Sequence, residues 1–233
     1  MDRRKYIIVD IDDIKIKMCF SHPTQHAFVK KIKKSRHEHH LLTMWKRNVV
    51  LNKGDILDLG GYSGIFGLIA AKASPDSKVY IFEPDPVNYK HVSKNIALNN
   101  LVNVTPVKAV VSNKTEQVSF QEHQGGEAGS ISEKGCLKIK SYALNDFIES
   151  NDIKPRLIKM DVEGAEYLAL SGMKEYLKKT DDLNILLELH YDLLKKYSHT
   201  AEDIFKLLDE LHFKYIYLDK NQYNEHYWVY PVK

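Results

Sequence analysis

The stretch that most constrains this chain runs from Asp55 to Gly67, Asp-Ile-Leu-Asp-Leu-Gly-Gly-Tyr-Ser-Gly-Ile-Phe-Gly. A short apolar segment enters a turn with glycines at 60, 61 and 64, and the chain leaves it in a helix-forming segment, 65–73. Glycine permits positive φ and a close approach of ligand to backbone. The unpaired N–H groups at the start of the following helix face the same turn. Strand, glycine turn and helix form the first βα unit of a nucleotide-binding α/β sheet, with its ligand at the carboxyl end of the strand. Several unrelated nucleotide-binding classes share such a turn, so the rest of the chain must separate them.

From residue 55 onward, strand and helix patterns alternate. Strands are expected at 55–59, 78–82, 104–111, 157–160, 183–189, 215–218 and 227–230. Helices are expected at 65–73, at 86–99 with Pro86 in the first turn, at 144–149, at 165–170, and at 201–211 capped by Thr200. Short extra strands at 116–121 and 137–140 flank a glycine-rich loop, 125–130, which reads either as a lid or acceptor loop carrying Ser130 or as an ordinary flexible connection. Repeated βα units imply a parallel sheet covered by helices on both faces. The last two strands lie too close in sequence for a crossover, so strand seven must run antiparallel. Upstream, 6–10 and 14–18 read as a β-hairpin. Helices follow over 23–34 and about 39–50. The expected division is an N-terminal extension or cap over 1–53 and a ligand-binding domain over 54–233.

Charge is unevenly placed. The net charge is +3, yet residues 1–53 carry 13 Lys/Arg against 5 Asp/Glu, and the remainder carries 21 against 26. The run Lys30-Lys31-Ile32-Lys33-Lys34-Ser35-Arg36 reads as a solvated helix face, or as a surface for an anionic partner such as a sugar nucleotide, lipid phosphate or nucleic acid. No apolar run approaches the ~20 residues of a membrane span. The basic start lacks the apolar core of a signal peptide. Cys19 and Cys136 make no disulfide framework and fit two free thiols in a reducing cytoplasm.

Glu83 follows Gly60 at the tip of the second strand, where a carboxylate accepts hydrogen bonds from both hydroxyls of an adenosine ribose. Two adenosine cofactors compete. For NAD, the glycines at 60, 64 and 67 approach the short-chain dehydrogenase spacing but run one residue too long. Tyr191 and Lys195 supply a Tyr-x-x-x-Lys, but without a partner serine. For S-adenosylmethionine, the cationic sulfonium calls for acids, and Asp58, Glu83 and Asp161 all fall at strand ends.

Four segments carry a more specific resemblance: Asp58-Leu-Gly-Gly-Tyr-Ser-Gly64, Phe82-Glu-Pro-Asp-Pro86, Lys94-Asn-Ile-Ala-Leu-Asn99 and, most diagnostic, Ile158-Lys-Met-Asp-Val-Glu-Gly-Ala-Glu166. Together with Leu187-Glu-Leu-His190 they resemble the FkbM-type methyltransferases over roughly residues 50–212. The resemblance implies the class I methyltransferase fold, an α/β Rossmann-like sheet of seven strands with the last reversed. It also implies S-adenosylmethionine as cofactor and O-methyl transfer, commonly to hydroxyls of sugars or sugar-bearing metabolites. The cofactor-binding candidates are Asp58, Gly60, Gly61, Tyr62, Ser63, Gly64, Glu83, Pro84, Ala109 and Asp161. Tyr62 stands where the family usually has asparagine, so it is expected to pack on the methionine portion or donate its hydroxyl.

A sugar hydroxyl needs a general base or a metal to take up its proton. The candidates are Asp161, Glu163, Glu166, Glu188 and His190, with a helix N-terminal acid as the alternative reading of Glu166. Asp161 with Glu188 or His190 offers ligands for Mg²⁺ or Mn²⁺. Expected partners are a small-molecule or glycan acceptor. Two other readings stand beside this one: a nucleic-acid methyltransferase, motivated by the basic first third, and a non-catalytic methyltransferase-like binding subunit. Trp45 and Trp228 are candidates for sugar stacking.

Overall fold

The computed structural model describes residues 6–20, 23–121, 129–132, 134–220 and 224–232, excepting the side chains of Gln25 and His37. The chain opens with β1 (Tyr6–Ile11) and β2 (Ile14–Cys19), an antiparallel hairpin turned at Asp12, followed by α1 (Pro23–Lys34) and α2 (Arg36–Leu51). Ser35 divides the two helices, and its hydroxyl accepts from the N–H of Glu38 as the N-cap of α2. Alternation along β2 sends Ile14, Ile16 and Met18 inward and leaves Lys15 and Lys17 exposed.

The main domain then runs β3 (Asp55–Leu59), α3 (Ile65–Ala73), β4 (Val79–Phe82), α4 (Pro86–Leu98), β5 (Val104–Val107), β6 (Ala109–Ser112), β7 (Glu116–Gln121), β8 (Ser130–Ile131) and β9 (Leu137–Ala143). It continues through α5 (Leu144–Ser150), β10 (Pro155–Met160), α6 (Glu166–Ser171), α7 (Lys174–Lys179), β11 (Asn184–Leu189), α8 (Tyr191–Leu194) with a 3₁₀ turn after it, α9 (Ala201–Glu210), β12 (Phe213–Lys220) and β13 (Glu225–Pro231). Seven strands form one sheet in the order β12-β13-β11-β10-β3-β4-β5. The strands from β11 to β5 pair parallel, and β13 lies antiparallel between β11 and β12. This is the mostly parallel sheet with a reversed last strand that the sequence implies, and it is the class I methyltransferase architecture. The order reverses between β3 and β10, which opens a crevice at their carboxyl ends, where open α/β sheets bind ligands.

The expected single strand over 104–111 is two strands. β5 closes the main sheet against β4, and after Lys108 the chain turns away. Ala109–Ser112 pairs parallel with β9 in a separate four-stranded sheet of order β6-β9-β7-β8. The expected helix at 165–170 starts one residue later, and a further short helix, α7, follows it. Of the glycine-rich loop, residues 125–128 lie outside the described residues.

Two large clusters fill the faces of the main sheet. One packs α5, α6, α7 and α9 against it. The other joins the N-terminal hairpin and helices to α3 and the sheet, through Val9, Ile11, Ile16, Met18 and Trp45 against Leu68, Ile69 and Ile81. Trp45 is fully buried and donates its indole N–H to the Phe66 carbonyl, which removes it from the sugar-stacking candidates. Trp228 packs against the same core. Among the described residues, no helix is long and apolar enough to cross a membrane.

Helix α9 carries a complete capping box. The Thr200 hydroxyl accepts from Asp203 N–H, and the Asp203 carboxylate accepts from Thr200 N–H. Such caps contribute about 1 kcal/mol, and a chain of this size loses roughly 2–4 °C of Tm per kcal/mol. Thr200→Ala is therefore expected to lower the melting temperature by about 2–4 °C. A melt unchanged by the substitution contradicts that role for the cap.

Candidate active site

A cavity of about 590 Å³ opens at the switch point. Its floor is the glycine turn. Gly60 has φ +78, and a Cβ there would lie 1.7 Å from the Asp161 carbonyl oxygen, so the turn after β3 and the loop after β10 touch through that glycine. The N–H groups of Gly60 and Gly61 donate to the Phe82 carbonyl at 3.1 and 2.8 Å, pinning the turn to β4. Asp58 lies beneath the turn, fully buried. Its carboxylate accepts from Gly67 N–H at 2.8 Å, tying strand β3 to the first turn of α3. Gly64, the N-cap of α3, takes φ +82. Gly60, Gly61, Tyr62, Ser63, Glu83, Pro84, Ala109 and Asp161 line the cavity, whereas Asp58 and Gly64 shape it from behind.

Glu83 closes one end. Its two oxygens accept from the N–H groups of Tyr62 (2.6 Å) and Asp85 (2.9 Å). Asp85 also caps α4 by accepting from Val87 and Asn88 N–H. Burial pushes the Glu83 carboxyl up from its ordinary 4.5 to about 7, against the pull of those two N–H groups. Tyr62 holds φ +50, and its ring meets Phe28 of α1 edge-on at 5.2 Å. Phe28, Lys31, Glu38 and Leu41 bring α1 and α2 into the cavity wall.

At the other end, Asp161 follows β10. Lys159, two residues earlier and on the same face, is buried. Its ammonium donates to Asp161 Oδ2 and to the Gly60 carbonyl, both at 2.9 Å, and lies 3.9 Å from Asp58 Oδ1. Burial opposes the Lys159 charge, but Asp161 and Asp58 outweigh it and hold the amine protonated. Burial pushes the Asp58 carboxyl up, opposed by Lys159 and Gly67 N–H. In the sequence, the one signal of Lys159 is its i, i+2 spacing to Asp161 inside an otherwise apolar strand.

Behind Asp161 stands His190. Its Nδ1 is 2.8 Å from Glu166 Oε1, and its Nε2 lies 3.6 Å from Asp161 Oδ1 and 3.5 Å from Glu163 Oε2. Glu166 is fully buried and supports His190, which sets aside the alternative of a plain helix-terminal acid. Burial works against a charged His190, but Glu166 and the carboxylates of Asp161 and Glu163 raise it to about 9. Burial, then Asp161, raises Glu163 to about 7, with His190 pulling the other way. Glu163 takes φ +54 and the following Gly164 φ +95, which turns the loop after β10 sharply into α6.

Glu188 forms a second group. Asn224 donates to its Oε1 at 2.9 Å, and its Oε2 faces His226 Nε2 at 3.3 Å, while His226 Nδ1 meets Asp219 at 2.7 Å. Burial alone raises the Glu188 carboxyl, but His226, Lys159 and Asn224 hold it well below the usual range. Burial opposes charge on His226, and Glu188 and Asp219 win, raising it. His226 thus joins His190 at the same end of the sheet. Glu188 pairs with His226 across β11 and β13, and both line the cavity. Tyr191 bonds Glu225 and Tyr227, and Lys195 pairs with Asp192. Neither lines the cavity, so the dehydrogenase pair has no site to serve.

The fold and the placing of the cavity are those of the class I methyltransferases. Residues 49–215, most of the chain, match the family model of the methyltransferase FkbM domain. The chain belongs to this family. Among curated relatives it is 28% identical over 160 residues to hexuronic acid methyltransferase AglP of Haloferax volcanii, covering 67% of this chain and 62% of that protein. It is 25% identical over 145 residues to methyltransferase 1 of Beauveria bassiana, covering 52% and 58%. The chain spans about three fifths of the length of these curated relatives. Among solved structures, a putative caffeoyl-CoA O-methyltransferase from Staphylococcus aureus shares the fold at TM-score 0.55 and 12% identity, with 89% of this chain and 90% of that one covered. An rRNA methylase from Streptococcus thermophilus does so at 0.54 and 13%, with 85% and 98% covered.

Proposed function

We propose that this chain transfers a methyl group from S-adenosylmethionine to a hydroxyl of a carbohydrate or glycosylated metabolite. The observation that carries the reading is the pairing of opposite ends in one cavity: a ribose-type carboxylate, Glu83, at one end, and at the other Asp161, which joins the glycine turn through Lys159. The residues fit the cofactor, because the backbone of Gly60, Gly61, Tyr62 and Ser63 lines the cavity between Glu83 and Asp161, and the acidic lining suits a sulfonium. A relative named for a hexuronic acid supports a sugar acceptor.

When bound, the cofactor supplies the methyl carbon: its carbon–sulfur bond breaks with the electron pair kept by sulfur, a carbon–oxygen bond forms, and the acceptor proton leaves. The chain's own residues then have distinct tasks. Glu83 accepts the ribose hydroxyls. Tyr62, Ser63 and Pro84 shape the adenosyl and methionine contacts, and Ala109 keeps the wall low beside them. Asp161, held by Lys159, faces the acceptor hydroxyl and orients it, or takes its proton, with Mg²⁺ or Mn²⁺ as the other means of lowering the cost of that proton. Glu163 and His190 back Asp161, and Glu188 offers a fixed negative acceptor to further hydroxyls. With the chain divided into a cap over 1–53 and a domain over 54–233, the cap's α1 and α2 supply acceptor-facing wall through Phe28, Lys31, Glu38 and Leu41, which line the cavity. Two free thiols, Cys19 and Cys136, agree with a cytoplasmic setting.

The test is incubation with S-adenosylmethionine and a panel of sugar acids, glycosides and nucleotide sugars, followed by mass spectrometry. The expected product gains one methyl group and survives mild base, as an ether does. Methylation of RNA with no carbohydrate product overturns the reading.

A pH prediction follows from Glu83. Its free carboxyl titrates near 7, and the ionised form accepts two hydroxyl hydrogen bonds, so cofactor binding favours ionisation. Affinity for S-adenosylmethionine is expected to weaken as pH falls below about 7, with protons released on binding near neutrality. Calorimetry in two buffers of different ionisation enthalpy reads that release. Glu83→Gln should remove it and weaken binding by about 1.5–3 kcal/mol, roughly 10- to 100-fold.

A further inference from the structure

We propose that Asp161, Glu163 and His190 form a divalent-cation site of the Mn²⁺ type at the acceptor end of the cavity. The inference rests on the methyltransferase reading above and adds to it a resident metal with a defined ligand set.

The geometry comes first. One ligand atom from each of the three residues lies within 4.8 Å of the other two, which leaves room for an ion among them. The two carboxylates line the cavity and are partly exposed, at 25% and 37%, while the histidine side chain is 4% exposed behind them. An ion held there has protein on one side and the cavity on the other, the open arrangement of a catalytic rather than a structural metal.

The surroundings point the same way. His190 gives its Nδ1 to Glu166, so the remaining nitrogen, Nε2, faces Asp161 and Glu163. A buried carboxylate that fixes the ring through the far nitrogen is the usual support of a metal-binding histidine. The second oxygen of Glu166 is buried without a hydrogen bond among the described residues. Lys159 occupies only Oδ2 of Asp161, which leaves Oδ1 directed at the histidine. Glu163 has no lysine, arginine or hydrogen-bond partner among the described residues; its one ion-pair contact is His190 at 3.5 Å.

The same geometry excludes Glu188 from the ligand set. Asn224 and His226 occupy its two oxygens, so it serves as a neighbouring wall. A set of one imidazole and two carboxylates suits Mn²⁺ better than Ca²⁺, which takes oxygen ligands throughout. The open positions can take two adjacent hydroxyls of a sugar, which would set which hydroxyl meets the methyl donor.

The probe is Mn²⁺ itself. Protein stripped with a chelator and desalted is titrated with MnCl₂, and free Mn²⁺ is followed by its electron paramagnetic resonance signal. S-adenosylmethionine binding is measured by calorimetry on the same samples. We expect one Mn²⁺ per chain. Glu163→Gln should weaken it about tenfold or more while cofactor binding stays within a few-fold, and Glu188→Gln should leave Mn²⁺ binding within a few-fold. His190→Gln, checked for a native melt, should behave as Glu163→Gln does. Absence of Mn²⁺ binding in a wild-type protein that still binds S-adenosylmethionine overturns the metal site and leaves the methyltransferase reading standing. Equal Mn²⁺ affinity in wild type and Glu163→Gln also overturns it. Mn²⁺ binding without cofactor binding overturns the methyltransferase reading instead.

Discussion

Asp161→Ala is expected to lower kcat by about 10²- to 10⁴-fold, the range for removing a group that handles the transferred proton. Binding of S-adenosylmethionine should change far less, because Glu83 lies at the other end of the cavity and the glycine turn keeps its own hydrogen bonds to the Phe82 carbonyl. Single-turnover assays beside calorimetry separate the two quantities. Asp161→Asn keeps an acceptor for the Lys159 hydrogen bond but removes the charge. A rate as low as in Asp161→Ala assigns the effect to charge, and recovery toward wild type assigns it to shape. A wild-type rate in Asp161→Ala removes this residue from the chemistry.

Lys159→Met is expected to give the largest loss of stability. The ammonium sits between two carboxylates and a carbonyl, all at the base of the site. Removing one partner of a buried ionic group costs about 3–5 kcal/mol, because the remaining charges stay buried without compensation. At roughly 2–4 °C per kcal/mol for a chain of this size, the melting temperature should fall by about 6–20 °C. Pairing the change with Asp58→Asn should recover part of the loss, as a coupled pair does. A single variant that melts within a degree or two of wild type shows that the loops after β3 and β10 are held by something else.

Lys159 also shows where reading the sequence reached its limit. The glycine turn, the strand-tip acid Glu83 and the stretch around Asp161 were legible because their chemistry is local: turn residues and strand ends lie within a few positions of one another. Lys159 lay in plain view two residues before Asp161, but a lysine flanked by Leu157, Ile158 and Met160 reads as a solvent-side residue unless both faces of the strand are known to be covered. His226 needed more. Its place opposite Glu188 depends on the antiparallel register of β11 with β13, and no local pattern encodes a register between strands that far apart. The break at Lys108 was hidden for a similar reason. Apolar residues continue on both sides of it, and only the parallel partner β9 reveals that the chain has changed sheets. For Glu166 the sequence leaves two readings, a site acid or a helix-start acid, and only its burial against His190 decides between them.

The packing of the first fifty residues has a consequence for how such chains diversify. Val9, Ile11, Ile16, Met18 and Trp45 share one interior with α3 and the sheet, and Phe28 rests on Tyr62 of the cofactor turn. A segment so embedded is not a cassette that recombination can exchange whole, since a foreign replacement would have to match the interior of its host residue by residue. New acceptor preferences would then arise by point changes on the inner surface of α1 and α2, at positions such as Lys31, Glu38 and Leu41, while the buried side of those helices stays as it is.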